Sequence, residues 1–402
     1  MNYGEGRTLS EKMAEMGYQE VDSADEADIV VLNTCTVVGT TEKKMINRIS
    51  ALKKQGKEIV VTGCMAAAQS RRIEIRLPDA PIVAPREYGN FADIIRSRYG
   101  IAGPPTEIRR NHDAILPIAQ GCLGNCTYCI TKIARGSLLS YDSASLVDKF
   151  DSFVDEGVKE ILITAQDTAC YGRDIGTSLP ELLKAMLEKE GDYRLRIGMM
   201  NPNALEPIVY ELTDVMKDPR VYKFLHIPIQ SGSDSVLNTM NRRTTVKRFT
   251  DLVSVLRERI PGISLATDII CGFPGETDED HADTIDLIRS LKLDTVNITR
   301  FSPRQGTRAA EMEQVHGRIS HDRSVELTNI KNEVELGVNK TLVGKRFVAL
   351  ATEVGKDGTV LRNDNYRPIV VRDTVPLGEF VEVTVTEARS TYLLGELGKK
   401  EL

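Results

Sequence analysis

The first part of the chain shows two kinds of hydrophobic pattern, one typical of strands and one typical of helices. Two runs rich in β-branched residues, 28–35 and 57–64, predict buried strands, whereas the apolar spacing of residues 41–54 between them predicts a helix. Strands that alternate with helices are typical of a parallel α/β sheet. Groups at the carboxyl ends of parallel strands meet at one edge of the sheet. We therefore expect Cys35 and Cys64, the last residues of the two runs, to lie close together.

The middle of the chain repeats the strand–helix pattern. Strand-like runs separated by helical spacing occur at 114–119, 160–165, 195–199, 224–229 and 264–270. This repeat predicts an open or closed (β/α) barrel, in which active-site groups lie at the carboxyl ends of the strands.

Short alternating segments occupy the last part of the chain. Four of them, separated by Gly, Asp and Asn turns, predict a small β-barrel: 346–353, 358–362, 367–371 and 380–387. We therefore predict an α/β protein of three domains: an N-terminal parallel α/β domain at 1–108, a central partial (β/α) barrel at 109–337 and a C-terminal β-barrel at 338–402.

Composition narrows the range of partners. The chain has 402 residues and a formal net charge of −6, with 27% charged and 41% hydrophobic residues, as in an ordinary globular protein. The apolar runs are too short for a membrane span, so we expect no membrane partner. The acidic balance argues against DNA as a partner, and RNA binding would depend on local patches. The odd count of seven cysteines predicts reduced thiols in a cytoplasm rather than disulfides.

Three cysteines carry the strongest chemical signal. Cys122, Cys126 and Cys129 follow the spacing C-x3-C-x2-C in a loop that contains Gly121 and Gly124. Thiolates are soft ligands that favour iron–sulfur clusters, zinc or Cu(I). A structural zinc site needs four ligands and no histidine lies close in sequence, so the three cysteines predict a metal centre with one open position. A structural zinc site or a chance grouping is the alternative.

With Tyr128 between its last two cysteines, this loop resembles the signature of radical S-adenosylmethionine (SAM) enzymes. The resemblance implies that the three thiolates bind a [4Fe–4S] cluster, that SAM occupies the open iron, and that Tyr128 lies near the adenine. An electron from the cluster then cleaves SAM to methionine and a 5′-deoxyadenosyl radical. Arg135, just after the loop, is a candidate for a polar contact to cofactor or substrate.

Four further loops, in order along the chain, resemble those of the radical SAM methylthiotransferase family: 165–167, 226–233, 267–277 and 301–307. A Gly-Phe-Pro-Gly segment alone would indicate only a turn, but four such matches in order are specific. The resemblance implies that Gln166 and Asp167 contact SAM after the second strand of the barrel. It implies the same for Gln230 and Ser231, and it makes Asp268 a further cofactor-binding candidate.

The segments around Cys35 and Cys64 resemble the N-terminal domain of the same family, which binds a second [4Fe–4S] cluster through three cysteines. The first of those cysteines belongs to a Gly-Cys-x-(Met/Leu)-Asn motif. Because this chain begins Met1-Asn2, the third ligand is expected two residues before Met1. The predicted helix at 5–16 also lacks the strand that normally precedes it, so we expect a native start further upstream. Two structural thiols are the alternative for Cys35 and Cys64.

The C-terminal barrel resembles the TRAM domain, an RNA-binding module. Residues 339–402 carry ten Lys and Arg against nine Asp and Glu, so their bulk charge does not favour RNA and a structural barrel is the alternative. The candidates for RNA contact, through phosphate binding and base stacking, are Arg362, Tyr366 and Arg367.

Together the resemblances imply a tRNA methylthiotransferase, which replaces an unreactive C–H of a base by a methylthio group, with one SAM for the radical and a second as methyl donor. The segments 35–37, 132–136 and 198–202 resemble the archaeal and eukaryotic branch, which acts on C2 of N6-threonylcarbamoyladenosine (t6A) at tRNA position 37. We expect the anticodon loop of tRNA, an electron donor protein and a sulfur source as partners. The alternatives are a methylthiotransferase for isopentenyladenosine tRNA or a ribosomal protein and, in a different class, a zinc-stabilised RNA-binding protein.

Overall fold

A parallel sheet covered by helices forms the first part of the chain in the computed structural model, which describes residues 2–37, 39–107 and 111–398. Its elements are α1 (Asn2–Glu15), β1 (Ile29–Thr34), α2 (Gly39–Lys54), β2 (Glu58–Gly63), α3 (Cys64–Ala68), α4 (Ser70–Glu74), β3 (Ile82–Val83) and α5 (Phe91–Tyr99). The sheet has the order β1–β2–β3 with all strands parallel, as predicted. Strands β1 and β2 each end one residue before the cysteine that closed the predicted run.

Strand β2 is covered on both faces. Ile59 and Val61 pack in one apolar cluster with Ile49 of α2. Val60, between them, packs in another with Leu9 of α1. Successive side chains of a strand point to opposite faces, so a strand with helices on both sides must be apolar at every position. This explains why the run has no polar alternation.

The middle of the chain alternates strands with helices. Its elements are β4 (Asp113–Pro117), β5 (Ala119–Gln120), α6 (Ile130–Arg135), β6 (Leu139–Ser140), α7 (Ser143–Asp155), β7 (Glu160–Thr164), α8 (Leu179–Leu187), β8 (Arg194–Ile197), α9 (Pro202–Leu205), α10 (Val209–Val215), β9 (Phe224–His226), α11 (Asp234–Thr239), α12 (Val246–Arg259), β10 (Ser264–Cys271), α13 (Asp278–Leu291), β11 (Thr295–Arg300) and α14 (Gly317–Lys340). Six of these strands form two parallel sheets, β4–β7–β8 and β9–β10–β11. Leu195 of β8 joins them through backbone hydrogen bonds with Arg220 and Tyr222, just before β9. The predicted partial (β/α) barrel is confirmed.

The last part of the chain is a closed five-stranded barrel. Its strands are β12 (Arg346–Gly355), β13 (Gly358–Arg362), β14 (Pro368–Val371), β15 (Phe380–Ala388) and β16 (Leu393–Leu397), in the order β12–β13–β14–β16–β15. Leu361, Ile369, Val383 and Leu393 are buried in its core. Closure pairs every strand on both sides, so the barrel has no open edge. The predicted small β-barrel is confirmed.

The chain divides into two compact units. The first comprises Met1–Arg110, Gln120–Leu138 and Ser302–Glu311, and the second comprises Asn111–Ala119, Leu139–Phe301 and Met312–Leu402. The first unit contains both sets of cysteines identified in the sequence. The domain boundaries at 108/109 and 337/338 stay predictions. Among the described helices, none has both the length and the apolar character needed to cross a membrane.

Candidate functional site

The three-cysteine loop is closed at its base by backbone contacts. The N–H of Cys122 donates to the carbonyl oxygen of Gly136 at 3.2 Å. Gly121 has φ +75°, and a Cβ there would lie 2.0 Å from the carbonyl oxygen of Ser137, so only glycine fits this close approach. Inside the loop, the N–H of Gly124 donates to Cys122 Sγ at 3.2 Å. The backbone thus fixes the first cysteine.

Two sulfurs of this loop lie on one side of Gly124. A Cβ on that glycine would lie 3.3 Å from Cys122 Sγ and 4.0 Å from Cys126 Sγ. Burial, with a smaller contribution from Cys126, raises the pKa of Cys129. All three cysteines and Tyr128 are half-buried, and none of the chain's seven cysteines, all within the described residues, forms a disulfide.

Three soft thiols in one short loop fit a [4Fe–4S] cluster, in which three irons take thiolates and the fourth is left for another ligand. No three His, Cys, Asp or Glu side chains of the described residues gather around a single-ion position. Cluster thiolates need not do so, because each of them binds a separate iron.

Cys35 and Cys64 lie at the same edge of the first sheet, as the strand pattern predicts. They follow Thr34 and Gly63, the last paired residues of β1 and β2. Gly63 has φ +86°, and a Cβ there would lie 2.2 Å from the carbonyl oxygen of Thr34. The Thr34 hydroxyl accepts from the N–H of Met65 at 3.2 Å, which fixes the start of α3. Burial raises the pKa of Cys64, and the nearby Cys35 adds to the effect. The edge therefore presents two neighbouring soft thiols.

Arg135 contacts one cysteine of the second pair, Cys64. It ends α6, is 1% exposed, and forms a two-pronged ion pair with Glu5, with Nη2 2.7 Å from Oε2. Its Nε–H donates to Cys64 Sγ at 3.3 Å. Sequence reasoning missed Glu5, because an acidic residue in a first helical turn usually indicates a solvated end. The contact of Arg135 with SAM or substrate stays a prediction.

A buried polar network lies beside Cys35. Its neighbour Thr36 donates to Gln69 Oε1 at 3.0 Å and accepts from Arg304 Nη2 at 2.8 Å. Arg304 also pairs with Glu42. Burial alone would raise the pKa of Glu42, but hydrogen bonds from Gln69 and Arg304 lower it overall. Arg304 belongs to the last of the four family-like loops, so that loop contacts the strand end that bears Cys35.

In the second unit, Asp167 follows β7 and is buried. Its carboxylate accepts from the N–H of Asn201 at 3.1 Å, from Asn201 Nδ2 at 2.6 Å and from the Cys170 thiol at 3.1 Å. Burial raises the pKa of Asp167, although these hydrogen bonds oppose the shift. Arg242 Nη1 in turn donates to Asn201 Oδ1 at 2.6 Å. The adjacent Gln166 is half-buried. Both carboxylate oxygens of Asp167 thus accept hydrogen bonds from within the protein. Contact between Asp167 and SAM stays a prediction.

Asp268 in β10 lies between side chains of the two adjacent strands. His226 Nε2, at the end of β9, is 2.8 Å from Asp268 Oδ1, and Asn297 Nδ2 of β11 donates to the same oxygen at 2.9 Å. Burial would raise the pKa of Asp268, but the hydrogen bond and charge of His226 lower it overall. The three side chains form one polar cluster across three strands, next to the segment that carries Gln230.

Gln230 has two features of a ligand contact. Its φ is +86°, which is rare for a residue other than glycine and is held by backbone hydrogen bonds to Asp268 and Ile270, both 2.9 Å. Its Oε1 is buried and has no hydrogen-bond donor among the described residues. The adjacent Ser231 is buried and accepts from the N–H of Ser233 at 3.2 Å. Backbone strain and an unfilled acceptor are typical of functional sites.

Arg362, Tyr366 and Arg367 lie between the closed β-barrel and the amino ends of the parallel strands. Tyr366 packs against Phe224, the first residue of β9, with ring centroids 5.2 Å apart. Arg367 forms a buried ion pair with Asp294, and burial lowers the pKa of Arg367. Arg362 lies over the Tyr366 ring at 4.6 Å. These contacts give all three half-buried side chains partners within the second unit, and the RNA contacts predicted for them stay predictions.

Comparison with protein families agrees with this geometry. Residues 116–288 match the Radical SAM superfamily, residues 1–84 match the family described as Uncharacterized protein family UPF0004, and residues 340–397 match the TRAM domain. The parallel barrel and the three-cysteine loop therefore define a radical SAM protein. The cofactors of this class are SAM and [4Fe–4S] clusters. The cysteines described above are suitable thiolate ligands for the clusters.

Relatives that match nearly the whole of this chain identify the particular family. The chain is 38% identical over 415 residues to the probable threonylcarbamoyladenosine tRNA methylthiotransferase of Pyrococcus horikoshii, covering 98% of this chain and 96% of that protein. It is also 38% identical over 418 residues to the threonylcarbamoyladenosine tRNA methylthiotransferase of Homo sapiens, covering 98% and 72%. The chain belongs to the threonylcarbamoyladenosine tRNA methylthiotransferase family and is a transferase of the radical SAM class.

Solved structures share the fold. The radical SAM methyltransferase TsrM from Kitasatospora setae aligns with a TM-score of 0.53 and 15% identity, covering 77% of this chain and 69% of that chain. The cobalamin-dependent SAM radical enzyme OxsB aligns with a TM-score of 0.50 and 11% identity, covering 76% and 48%. At these identities the likeness concerns the fold alone.

Proposed function

We propose that this protein catalyses methylthiolation of C2 of t6A at position 37 of tRNA. One observation carries the proposal: the three-cysteine loop and the Cys35–Cys64 pair belong to one compact unit, in a chain whose relatives over nearly full length bear that enzyme's name. The C2–H of an adenine ring offers no acidic proton to a general base. Its replacement therefore needs hydrogen-atom abstraction, the chemistry for which the three-cysteine loop is suited.

Different groups of the described side chains have different proposed roles. Cys122, Cys126 and Cys129 would hold a [4Fe–4S] cluster that, with SAM, supplies the hydrogen-abstracting radical. The N–H of Gly124 and the ammonium of Lys132, which donates to the Cys122 carbonyl at 2.6 Å, hold the first cysteine in place. The proposed SAM contacts are Tyr128, Gln166, Asp167, Gln230, Ser231 and Asp268. The buried Oε1 of Gln230 offers an acceptor to the amino group of SAM.

Cys35 and Cys64 would supply two thiolates to a second [4Fe–4S] cluster, the site from which sulfur is delivered, and the family motif adds a third cysteine. A second SAM supplies the methyl group. The partners we propose are the anticodon loop of tRNA, a sulfur source and an electron donor protein. None of the seven cysteines, all within the described residues, forms a disulfide, which agrees with the reducing cytoplasm that we propose as its location.

Two alternatives have less support. A methylthiotransferase for isopentenyladenosine tRNA or for a ribosomal protein would use the same cysteines, but the names of the relatives favour t6A. A zinc-stabilised RNA-binding protein disagrees with membership of the radical SAM class.

The test is an anaerobic reaction of the reconstituted protein, carrying the third cysteine of the family motif, with SAM, a one-electron reductant and tRNA that carries t6A37. Mass spectrometry of released 5′-deoxyadenosine and of the tRNA nucleosides should show both the cleaved cofactor and the methylthiolated base. Cys126→Ala should abolish both products. Cys271→Ala, a buried thiol outside both cysteine sets, should leave both unchanged.

The outcomes separate the alternatives. Cleaved SAM together with modification only of tRNA that carries isopentenyladenosine would refute the t6A substrate while leaving the class intact. A colourless protein that binds zinc in place of iron would refute the radical mechanism.

A further inference from the structure

One short helix joins the two cysteine sets of the first unit. Helix α6 starts immediately after Cys129 and ends at Arg135. The Nε–H of Arg135 donates to Cys64 Sγ at 3.3 Å. The helix therefore runs from the third cysteine of the loop to a hydrogen-bond donor at the second cysteine pair.

The guanidinium of Arg135 is held in a fixed orientation. Glu5 accepts from both of its Nη atoms, and the two side chains are 1% and 4% exposed. The carbonyl oxygen of Arg135 accepts from Arg86 Nε at 2.8 Å. Gly136, at φ +68°, leaves room for Arg86, because a Cβ there would lie 2.4 Å from its guanidinium. A bidentate carboxylate fixes the plane of a guanidinium, so the remaining Nε–H has one direction, towards Cys64.

We propose that Arg135, oriented by Glu5, is a positioning residue for the cluster bound at Cys35 and Cys64. The inference rests on the second cluster of the proposed function. A hydrogen bond and a positive charge at a cluster sulfur stabilise the reduced, more negative state. Arg135 therefore raises the reduction potential of this cluster and holds Cys64 in place immediately after β2.

A purely structural role does not account for this arrangement. A buried Arg–Glu pair gains little stability over apolar residues of similar size, because both charges lose their water. Lysine would carry the charge but lacks the planar fork and the additional Nε donor. The site depends on features specific to arginine: two guanidinium nitrogens of Arg135 donate to Glu5, and the third donates to Cys64.

The second cluster can be studied alone in the full chain that also carries the third cysteine of the family motif and in which Cys122→Ser, Cys126→Ser and Cys129→Ser remove the first cluster, the triple-serine protein. Iron content and an EPR-monitored redox titration are compared in this protein with and without Glu5→Gln/Arg135→Gln. That double variant removes both buried charges together, so neither is left unpaired. We expect iron to remain bound and the potential to fall. The expected change in the reduced-to-oxidised ratio is about tenfold, or about 59 mV for a one-electron couple.

Two further variants separate positioning from general disturbance. Arg135→Lys keeps the charge but not the fork, so its potential should fall between those of the triple-serine protein and the double variant. Arg86→Gln removes a guanidinium that holds the end of α6 without contacting Cys64, so it should leave the potential unchanged.

The failures are distinguishable. Bound iron with an unchanged potential in Glu5→Gln/Arg135→Gln would overturn the role of Arg135 and leave the proposed function standing. Absence of iron from the triple-serine protein would overturn the second cluster and this inference together, whereas SAM cleavage by the protein with all its cysteines tests the three-cysteine loop separately.

Discussion

Arg367 of the closed β-barrel forms a buried ion pair with Asp294, the residue immediately before β11. Asp294 Oδ2 also accepts from the N–H of Leu265 in β10 at 2.7 Å, and Arg367 donates to Asn339 of α14. The closed barrel is therefore joined to the amino ends of the parallel strands. The candidate SAM residues Asp167 and Gln230, in contrast, follow the carboxyl ends of β7 and β9.

The ion pair makes a prediction for stability. Arg367→Met should lower the free energy of unfolding by about 3 kcal/mol, because the Asp294 carboxylate is left buried without its partner. Arg367→Met/Asp294→Asn should recover most of that loss, since the uncompensated charge is gone. Urea unfolding at neutral pH measures both.

The same double variant tests the RNA contact predicted for Arg367. Because this side chain is used inside the protein, we expect an unchanged affinity for tRNA in a filter-binding assay at fixed salt. A clear loss of affinity in a folded double variant would support the predicted RNA contact and contradict this expectation.

Gly63 makes a prediction for the strand end that precedes Cys64. Gly63→Ala should destabilise the protein by about 3 kcal/mol, because a Cβ would meet the Thr34 carbonyl in addition to the cost of a positive φ. Gly56→Ala is the matched control: its φ is +71° but nothing lies within 4 Å, so it should cost about 1 kcal/mol. Thermal unfolding of both variants checks the difference, and equal losses would show that the close approach is unimportant.

Gln230 combines strain with a predicted cofactor contact. Gln230→Gly should raise the free energy of unfolding by about 1 kcal/mol, because it relieves the positive φ and removes a buried unfilled acceptor. The same change should weaken SAM binding, measured by equilibrium dialysis of the reconstituted protein. Asn241→Gly changes another residue of positive φ, +56°, at a position outside the candidate site and should leave SAM binding unchanged. Equal SAM affinity in the two variants would remove Gln230 from the site.

Asp268 makes the stability of the second unit dependent on pH. Its pKa is lower in the folded protein than in the unfolded chain, so its contribution is present above the unfolded value, about 4, and is lost as the pH falls through the folded value. We expect Asp268→Asn to flatten the fall of unfolding free energy below about pH 4. Asp167 has a raised pKa and the opposite sign: its contribution is full below the unfolded value and is lost as the pH rises. Urea unfolding followed by circular dichroism across this range compares Asp268→Asn with Asp167→Asn.

Much of the fold is predictable from sequence because it depends on local pattern. Because a helical segment separates them, the apolar runs at 28–35 and 57–64 are readily interpreted as parallel strands. Their parallel pairing brings Cys35 and Cys64 to one edge of the sheet. The C-terminal barrel follows in the same way from short alternating strands between turns.

The partners of buried charges are not predictable in this way. Glu5 and Arg135 are 130 residues apart, and Asp294 and Arg367 are 73 residues apart, so no local period relates them. From the sequence alone, each of these side chains would be interpreted as a solvent-exposed charged group. Tyr366 likewise resembled an exposed stacking residue, but it packs between the closed barrel and Phe224.

By itself, the sequence determined the class of chemistry, because the spacing C-x3-C-x2-C brings three thiols together in a loop of that length whatever surrounds it. It also determined the order of the three structural parts, because hydrophobic period and turn residues act over a few positions. Only the tertiary structure decided which guanidinium reaches Cys64 and which side chains join the closed barrel to the parallel strands. The physical reason is that a buried charge is directed by the carboxylates and carbonyls that fold around it, and these come from segments far apart in the chain.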